Sequence, residues 1–80
     1  MRLPRDLSGD ELAHLLGRLG YEQTRQTGSH IRLTTLEGSH HVTVPRHASL
    51  KVGTLAGILS DVASHFDRPR REIERELFDE

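Results

Sequence analysis

The chain has 80 residues, which is room for one domain with a thin core. It contains no cysteine, and this excludes disulfides, thiolate nucleophiles and every zinc site built on sulfur. The formal net charge is −1, but residues 25–51 hold four Lys or Arg against one acid and residues 67–80 hold four Arg against six acids. The basic middle can attract phosphate, although a mixed-charge surface without a partner would look the same.

The sequence shows no signal for a membrane. No apolar run approaches the ~20 residues that a membrane-spanning helix needs. Residues 1–5 lack the apolar stretch of a signal peptide. We therefore expect a cytoplasmic protein that has no membrane partner.

The first predicted element is a helix over about residues 8–19. Ser8 and Glu11 have the spacing of a capping box, in which each side chain binds the backbone N–H of the other residue. Leucines then recur at helical spacing at positions 12, 15, 16 and 19. Gly20 follows where a left-handed residue commonly ends a helix.

Three short strands are predicted next, over residues 21–27, 30–35 and 40–44. The second and third alternate polar and apolar residues, which is typical of half-buried strands, whereas the first is inferred from its neighbours. Turn residues separate them at Gly28-Ser29 and at Glu37-Gly38-Ser39. Short turns between consecutive strands indicate an antiparallel meander.

A second helix is predicted from Val52 or Gly53 to Phe66. In the tail, Pro69 stands where a proline occupies the first helical position, and apolar residues at 73 and 77 favour a short last helix. The fold class is therefore α+β: a single domain built as an α-β-β-β-α two-layer sandwich with a short C-terminal helix. We expect its core within about residues 7–66 and a C-terminal extension over residues 67–80.

One face of the predicted sheet is left open, because both helices pack on the other. Side chains alternate along a strand, so Ile31 and Leu33 face the core while their neighbours face away. An imidazole beside a guanidinium on such a face can bind phosphate and move a proton. The predicted members of the open face are His30, Arg32, Thr34, His41 and Thr43, with Arg25 as the candidate from the first strand.

The histidines allow a second interpretation, a zinc cluster of His40, His41 and His47. This interpretation is weak, because adjacent strand residues point to opposite faces and no carboxylate is close in the sequence. His14 and His65 lie on predicted helices and look like ordinary surface residues. The sequence therefore predicts no metal site.

Several motifs together resemble the HicA family of toxins, which are the toxic halves of type II toxin–antitoxin pairs. The resemblance covers nearly the whole chain and rests on Gly20-Tyr21, Arg25-Gln26-Thr27-Gly28-Ser29-His30, Val42-Thr43-Val44-Pro45-Arg46-His47, Lys51-Val52-Gly53-Thr54-Leu55 and Ile58-Leu59. It implies a fold like that of the double-stranded-RNA-binding domain and an mRNA endoribonuclease that needs neither metal nor cofactor. It also implies a HicB-type antitoxin that covers the RNA-facing surface.

The resemblance places the catalytic histidine of the Gly-Ser-His motif at His30, which we expect to act as acid or base. Gly28 would supply the turn that presents it. The expected RNA-binding residues are Arg25, Gly28, Ser29, Arg32, His41, Thr43, Arg46, His47 and Lys51. Two alternatives remain open at this point: a non-catalytic RNA-binding module that reads RNA by shape, and an interaction domain that has lost the nuclease.

Overall fold

A computed structural model describes residues 3–79. A short helix precedes three antiparallel strands, and two further helices follow, which confirms the predicted α+β order. The elements are α1 (Gly9–Leu16) with a 3₁₀ turn (Gly17–Leu19), β1 (Tyr21–Thr27), β2 (His30–Thr35), β3 (His41–Pro45), α2 (Val52–Phe66) and α3 (Arg70–Phe78).

The predicted capping box starts α1. The backbone N–H of Glu11 donates to Ser8 Oγ and the backbone N–H of Ser8 donates to Glu11 Oε1, both at 3.0 Å. The α-helix ends at Leu16, three residues earlier than expected, because its last turn tightens into a 3₁₀ turn. Gly20 closes this turn with a φ of 90°, the left-handed conformation that the sequence predicted.

The strands form one sheet in the order β1-β2-β3, with antiparallel pairing throughout. The register pairs Thr27 with His30 across the first turn and Thr34 with His41 on the other side of β2. An irregularity between Gln23 and Arg25 leaves Thr24 as an extra residue in β1. This bulge was not predicted from the sequence, because a bulge depends on the pairing with the next strand and not on the strand's own pattern.

The core lies between the inner face of the sheet and the helices. It contains Leu12, Leu16, Ile31, Leu33, Val42, Val44, Leu55, Leu59, Val62, Ile73 and Leu77, each at most 4% exposed. Ile73 and Leu77 belong to α3, so the core continues past the limit at residue 66 that we expected. The C-terminal segment is therefore a third member of the helix layer.

The helix α3 begins next to a proline and is held at its C-terminal end by an arginine. The helix begins at Arg70, directly after Pro69, so the proline precedes the first helical position instead of occupying it. At the other end, Arg18 from the 3₁₀ turn donates to the carbonyl oxygens of Glu76 and Leu77 at 3.2 and 3.1 Å. A cation at the carbonyl end of a helix satisfies acceptors that have no partner inside the helix.

Candidate catalytic and nucleic-acid-binding site

The open face of the sheet brings together polar side chains from all three strands. Since alternate residues share a face, the register places three cross-strand rows on it. The rows are Thr27, His30 and Pro45; Arg25, Arg32 and Thr43; and Glu22, Thr34 and His41. The register therefore places the predicted residues on one face of the sheet, which we call the open face, although Thr34 is covered there.

His30 is exposed and stands at the first position of β2, at the corner of this face. Its Nδ1 shares a hydrogen bond of 3.0 Å with Ser29 Oγ. Within residues 3–79 the other ring nitrogen has no hydrogen-bond partner. The imidazole is thus oriented by its neighbour while one nitrogen is free to meet a ligand.

Arg25 and Arg32 are direct cross-strand neighbours on the open face. Opposed side chains of an antiparallel pair lie about 5 Å apart at Cβ, so two like charges in this position repel. Neither guanidinium forms an ion pair with any residue in the range 3–79. Glu22 supplies one acid on the same face, two residues from the bulge. An anion bound between the arginines would relieve their repulsion.

A chain of hydrogen bonds fixes the far row of the open face. Thr24 Oγ1 and Thr34 Oγ1 are 2.8 Å apart, and Thr34 Oγ1 is 2.8 Å from Nδ1 of His41. Thr34 is only 9% exposed although it lies on the open face, because these two neighbours cover it. The bulge at Thr24 makes this arrangement, so sequence reasoning missed Thr24 and expected Thr34 to be open.

Arg46 does not join the arginines of the open face. Its guanidinium donates two hydrogen bonds of 3.0 Å to the carboxylate of Asp10 on α1, so it lies on the side of the helices. This hydrogen-bonded pairing lowers the pKa of Asp10 from its ordinary value. The other predicted contacts of this segment, His47 and Lys51, are exposed on the connection between β3 and α2.

The turn that carries His30 does not need its glycine for folding. Among the described residues only Gly20 and Gly38 are glycines with a positive φ, so the backbone at Gly28 is one that other residues adopt. A side-chain carbon at Gly28 would meet nothing within 4 Å. Gly28 thus lies in the turn directly before His30, as expected, but neither its backbone conformation nor a neighbouring atom requires a glycine there.

A second histidine cluster lies at the opposite end of the sheet, beside α2. His40 Nε2 donates to Oδ1 of Asp61 at 3.3 Å, and His40 Nδ1 shares a hydrogen bond of 2.7 Å with the Tyr21 hydroxyl. The ring of His65 stacks on His40 at 4.4 Å between centroids. The His40 side chain is 16% exposed, and His65, which sequence reasoning treated as an ordinary surface residue, is its stacking partner. Nothing in the local sequence pattern shows that these rings meet.

The environment of this cluster raises the pKa of Tyr21 to about 12, mainly because the phenol is buried and secondarily because Asp61 and Glu37 are negative.

Within residues 3–79 no group of three or more His, Asp or Glu side chains is placed to share a metal ion. The zinc interpretation of His40, His41 and His47 therefore finds no support. In the same range, no helix is both long enough and apolar enough to cross a membrane.

Comparison with known proteins places this arrangement in a family. The family model of the HicA toxins of bacterial toxin–antitoxin systems matches residues 9–63, from the start of α1 almost to the end of α2. The match includes the whole sheet and the Gly-Ser-His segment, and it stops before α3. No curated protein and no solved structure matches the chain. Because the matched region is more than half of the 80 residues, the chain belongs to the HicA toxin family.

Proposed function

We propose that this protein is an endoribonuclease toxin that cleaves mRNA, with His30 as the catalytic acid or base. The observation that carries the proposal is the position of His30, which is exposed and stands one row from Arg25 and Arg32. Among residues 3–79, one of its ring nitrogens has no hydrogen-bond partner and neither arginine has an ion-pair partner. Family membership supports the toxin role. The geometry favours a ligand with both a phosphate and a transferable proton.

RNA meets this requirement, because a 2′-hydroxyl lies next to every phosphate. In the proposed reaction His30 takes the proton of the 2′-hydroxyl, whose oxygen forms a bond to phosphorus as the bond from phosphorus to the 5′-oxygen breaks. Water supplies a proton to the departing oxygen, and the other product carries a cyclic phosphate. Arg25 and Arg32 offset the negative charge on the phosphoryl oxygens.

The remaining open-face residues are proposed to bind the RNA on either side of the reacting phosphate. Thr43 lies in the row of the arginines, and His41 lies one row beyond it. Ser29 orients the imidazole through its hydroxyl. His47 and Lys51 are further proposed contacts from the connection after β3, while Gly28 leaves space for the chain to approach His30.

The proposed protein partner is a HicB-type antitoxin that covers the open face. The family consists of toxins from toxin–antitoxin systems, so a silencing partner is expected. In the described part of the chain no helix packs on the open face, and a partner that carries acidic groups would block the exposed arginines and histidines there. RNA and antitoxin would then compete for one surface.

The test compares wild type with His30→Ala, and uses His14→Ala as a matched control because His14 is an exposed histidine on α1. Each is induced alone, growth is followed, and total mRNA is examined; the purified proteins are then incubated with RNA. We expect wild type and His14→Ala to arrest growth and to shorten transcripts, and His30→Ala to do neither.

Loss of the acid or base should lower the cleavage rate by about 10²–10⁴-fold. If wild type shifts RNA on a gel but leaves it intact, the non-catalytic binding module is the correct reading. If wild type neither binds nor cleaves RNA, the protein is an interaction domain that has lost the nuclease.

A further inference from the structure

The first turn of α1 is fastened to the connection that follows β3. The backbone N–H of Gly9 donates to the carbonyl of His47 at 3.0 Å, and the backbone N–H of Leu50 donates to the carbonyl of Leu7 at 2.7 Å. The two hydrogen bonds between Arg46 and Asp10 follow directly after the contact between Gly9 and His47, one residue further along each segment. We call this group of contacts the clasp.

The clasp continues directly into the strand end that carries His30. His30 pairs with Pro45, which has no N–H to donate across the sheet. The next donor along the chain is the backbone N–H of Arg46, and it donates to the carbonyl of Ser29 at 2.8 Å. The backbone of Arg46 therefore holds the turn before His30, while its side chain holds α1.

Gly9 brings α1 into contact with the same place. It is buried, and a side-chain carbon at this position would collide with the carbonyl oxygen of Pro45. The helix thus packs on the backbone of the residue that pairs with His30. A displacement of the first turn of α1 is transmitted to the His30 strand end through Pro45 and Arg46.

We propose that Asp10 and Arg46 are positioning residues that set the location of His30, and that Arg46 is not an RNA contact. This inference rests on the proposed function, since His30 is the reacting group there. The bidentate geometry fixes the direction of the Arg46 side chain, which a single point charge would not do. The pair is partly exposed, at 35% for the Arg46 side chain and 60% for Asp10. Its loss therefore has little effect on global stability and acts mainly on the geometry of the site.

The experiment measures kcat and KM for RNA cleavage with Asp10→Asn, Arg46→Gln and the double variant. Each single change should lower kcat by about threefold to thirtyfold, less than the ~10²-fold that a 1 Å misplacement can cause. KM should stay unchanged, because no RNA contact is removed. The double variant should be no worse than either single variant, since both changes break one interaction. Arg46→Lys should restore only part of the loss.

Arg68→Gln is the matched control, because Arg68 forms ion pairs with Glu72 and Glu76 on α3 and has no link to the clasp. It should leave kcat unchanged. Asp10→Asn distinguishes a positioning role of Arg46 from a direct RNA contact. If this change lowers KM or tightens RNA binding, Arg46 contacts phosphate once Asp10 no longer neutralises it, and the positioning role is wrong. Unchanged kcat in both single variants would overturn it as well. Gly9→Ala is not used, because the collision with Pro45 would disturb the fold itself.

A readout without RNA separates this inference from the proposed function. The imidazole NMR resonances of His30 should move in Asp10→Asn and Arg46→Gln and stay in place in Arg68→Gln. If they move while wild type cleaves no RNA, the proposed function fails and the positioning contact stands. If wild type cleaves RNA and neither the resonances nor kcat change in the variants, the positioning role fails alone.

Discussion

The two faces of the sheet differ in what their side chains do, although they come from the same strands. On the covered face Ile31, Leu33 and Val44 are at most 1% exposed and hold the helices. On the open face Arg32 and Thr43, which alternate with them, are exposed and hold nothing from the helix layer. We therefore expect stability to depend on the covered positions and the proposed RNA binding on the positions that alternate with them.

The histidines repeat this contrast. His40 is held by Tyr21, Asp61 and the stacked ring of His65, so both of its ring nitrogens are occupied. Among the residues that the structure describes, His30 bonds only to Ser29, through one of its two ring nitrogens. A histidine with all its partners inside the protein stabilises the fold, whereas one with a free nitrogen beside unpaired cations can serve a ligand.

The largest effect is expected from neighbouring positions on β2. Leu33→Ala should lower the free energy of unfolding by about 2–5 kcal/mol, because it leaves a cavity under the helices. Arg32→Gln should change it by less than about 0.5 kcal/mol. Urea unfolding measures both.

RNA binding is measured in the His30→Ala background to avoid cleavage. There, Arg32→Gln should reduce the slope of RNA affinity against salt concentration (both on logarithmic scales) by an amount that corresponds to about one phosphate contact. Equal destabilisation by the two substitutions would show that the open face also holds the fold. An unchanged salt dependence would remove Arg32 from the proposed RNA surface.

A smaller effect separates the adjacent histidines at the start of β3. His40→Ala should lower the free energy of unfolding by about 1–3 kcal/mol, because the buried Tyr21 hydroxyl loses its partner. His41→Ala should cost less, since Thr34 keeps its bond to Thr24.

The order should reverse in RNA binding, where His41→Ala weakens the complex and His40→Ala does not. Thermal unfolding and RNA titration of the same two proteins check both statements. A destabilisation by His41→Ala as large as that by His40→Ala would contradict the division between the faces.

The smallest effect concerns the titration of Tyr21, which is the only tyrosine in a chain without tryptophan. Phenolate absorbance should titrate with a pKa of about 12 in the folded protein. Asp61→Asn should lower this pKa, which should stay above 10 because burial is the larger cause. An unchanged midpoint in Asp61→Asn would show that Asp61 does not contribute, which leaves burial and Glu37 as the causes of the raised pKa.

The sign for stability follows from the raised pKa. Because the pKa of Tyr21 is higher in the folded state than in the unfolded state, folding favours the neutral phenol. The stabilisation that Tyr21 contributes through this difference is complete below pH 10 and is lost as the pH rises from about 10 to about 12. Unfolding measured across this range should show the loss in wild type. Tyr21→Phe, which has no ionisable group at this position, should not show this part of the loss.

Much of this protein follows from local patterns in its sequence. The capping box at Ser8 and Glu11, the left-handed Gly20 and the alternation along β2 each involve residues within a few positions of one another. Physical chemistry acts on them before any packing occurs, so they predict the elements, their order and the open face. The identity of His30 as a candidate depended additionally on family resemblance, since one exposed histidine does not differ from another in pattern.

Tertiary structure decided the features that join distant parts of the chain. Arg46 meets Asp10 across 36 positions, and His40 meets Asp61 across 21, and neither pairing leaves a mark in the sequence. The same holds for α3, whose Ile73 and Leu77 enter the core only because α1 and α2 leave room for them. Periodicity shows which face of an element is apolar, but the partner of a charged side chain depends on how close folding brings it. For this reason the sequence determined the surface that carries His30, while only the packed structure showed that Arg46 pairs with Asp10 beside it.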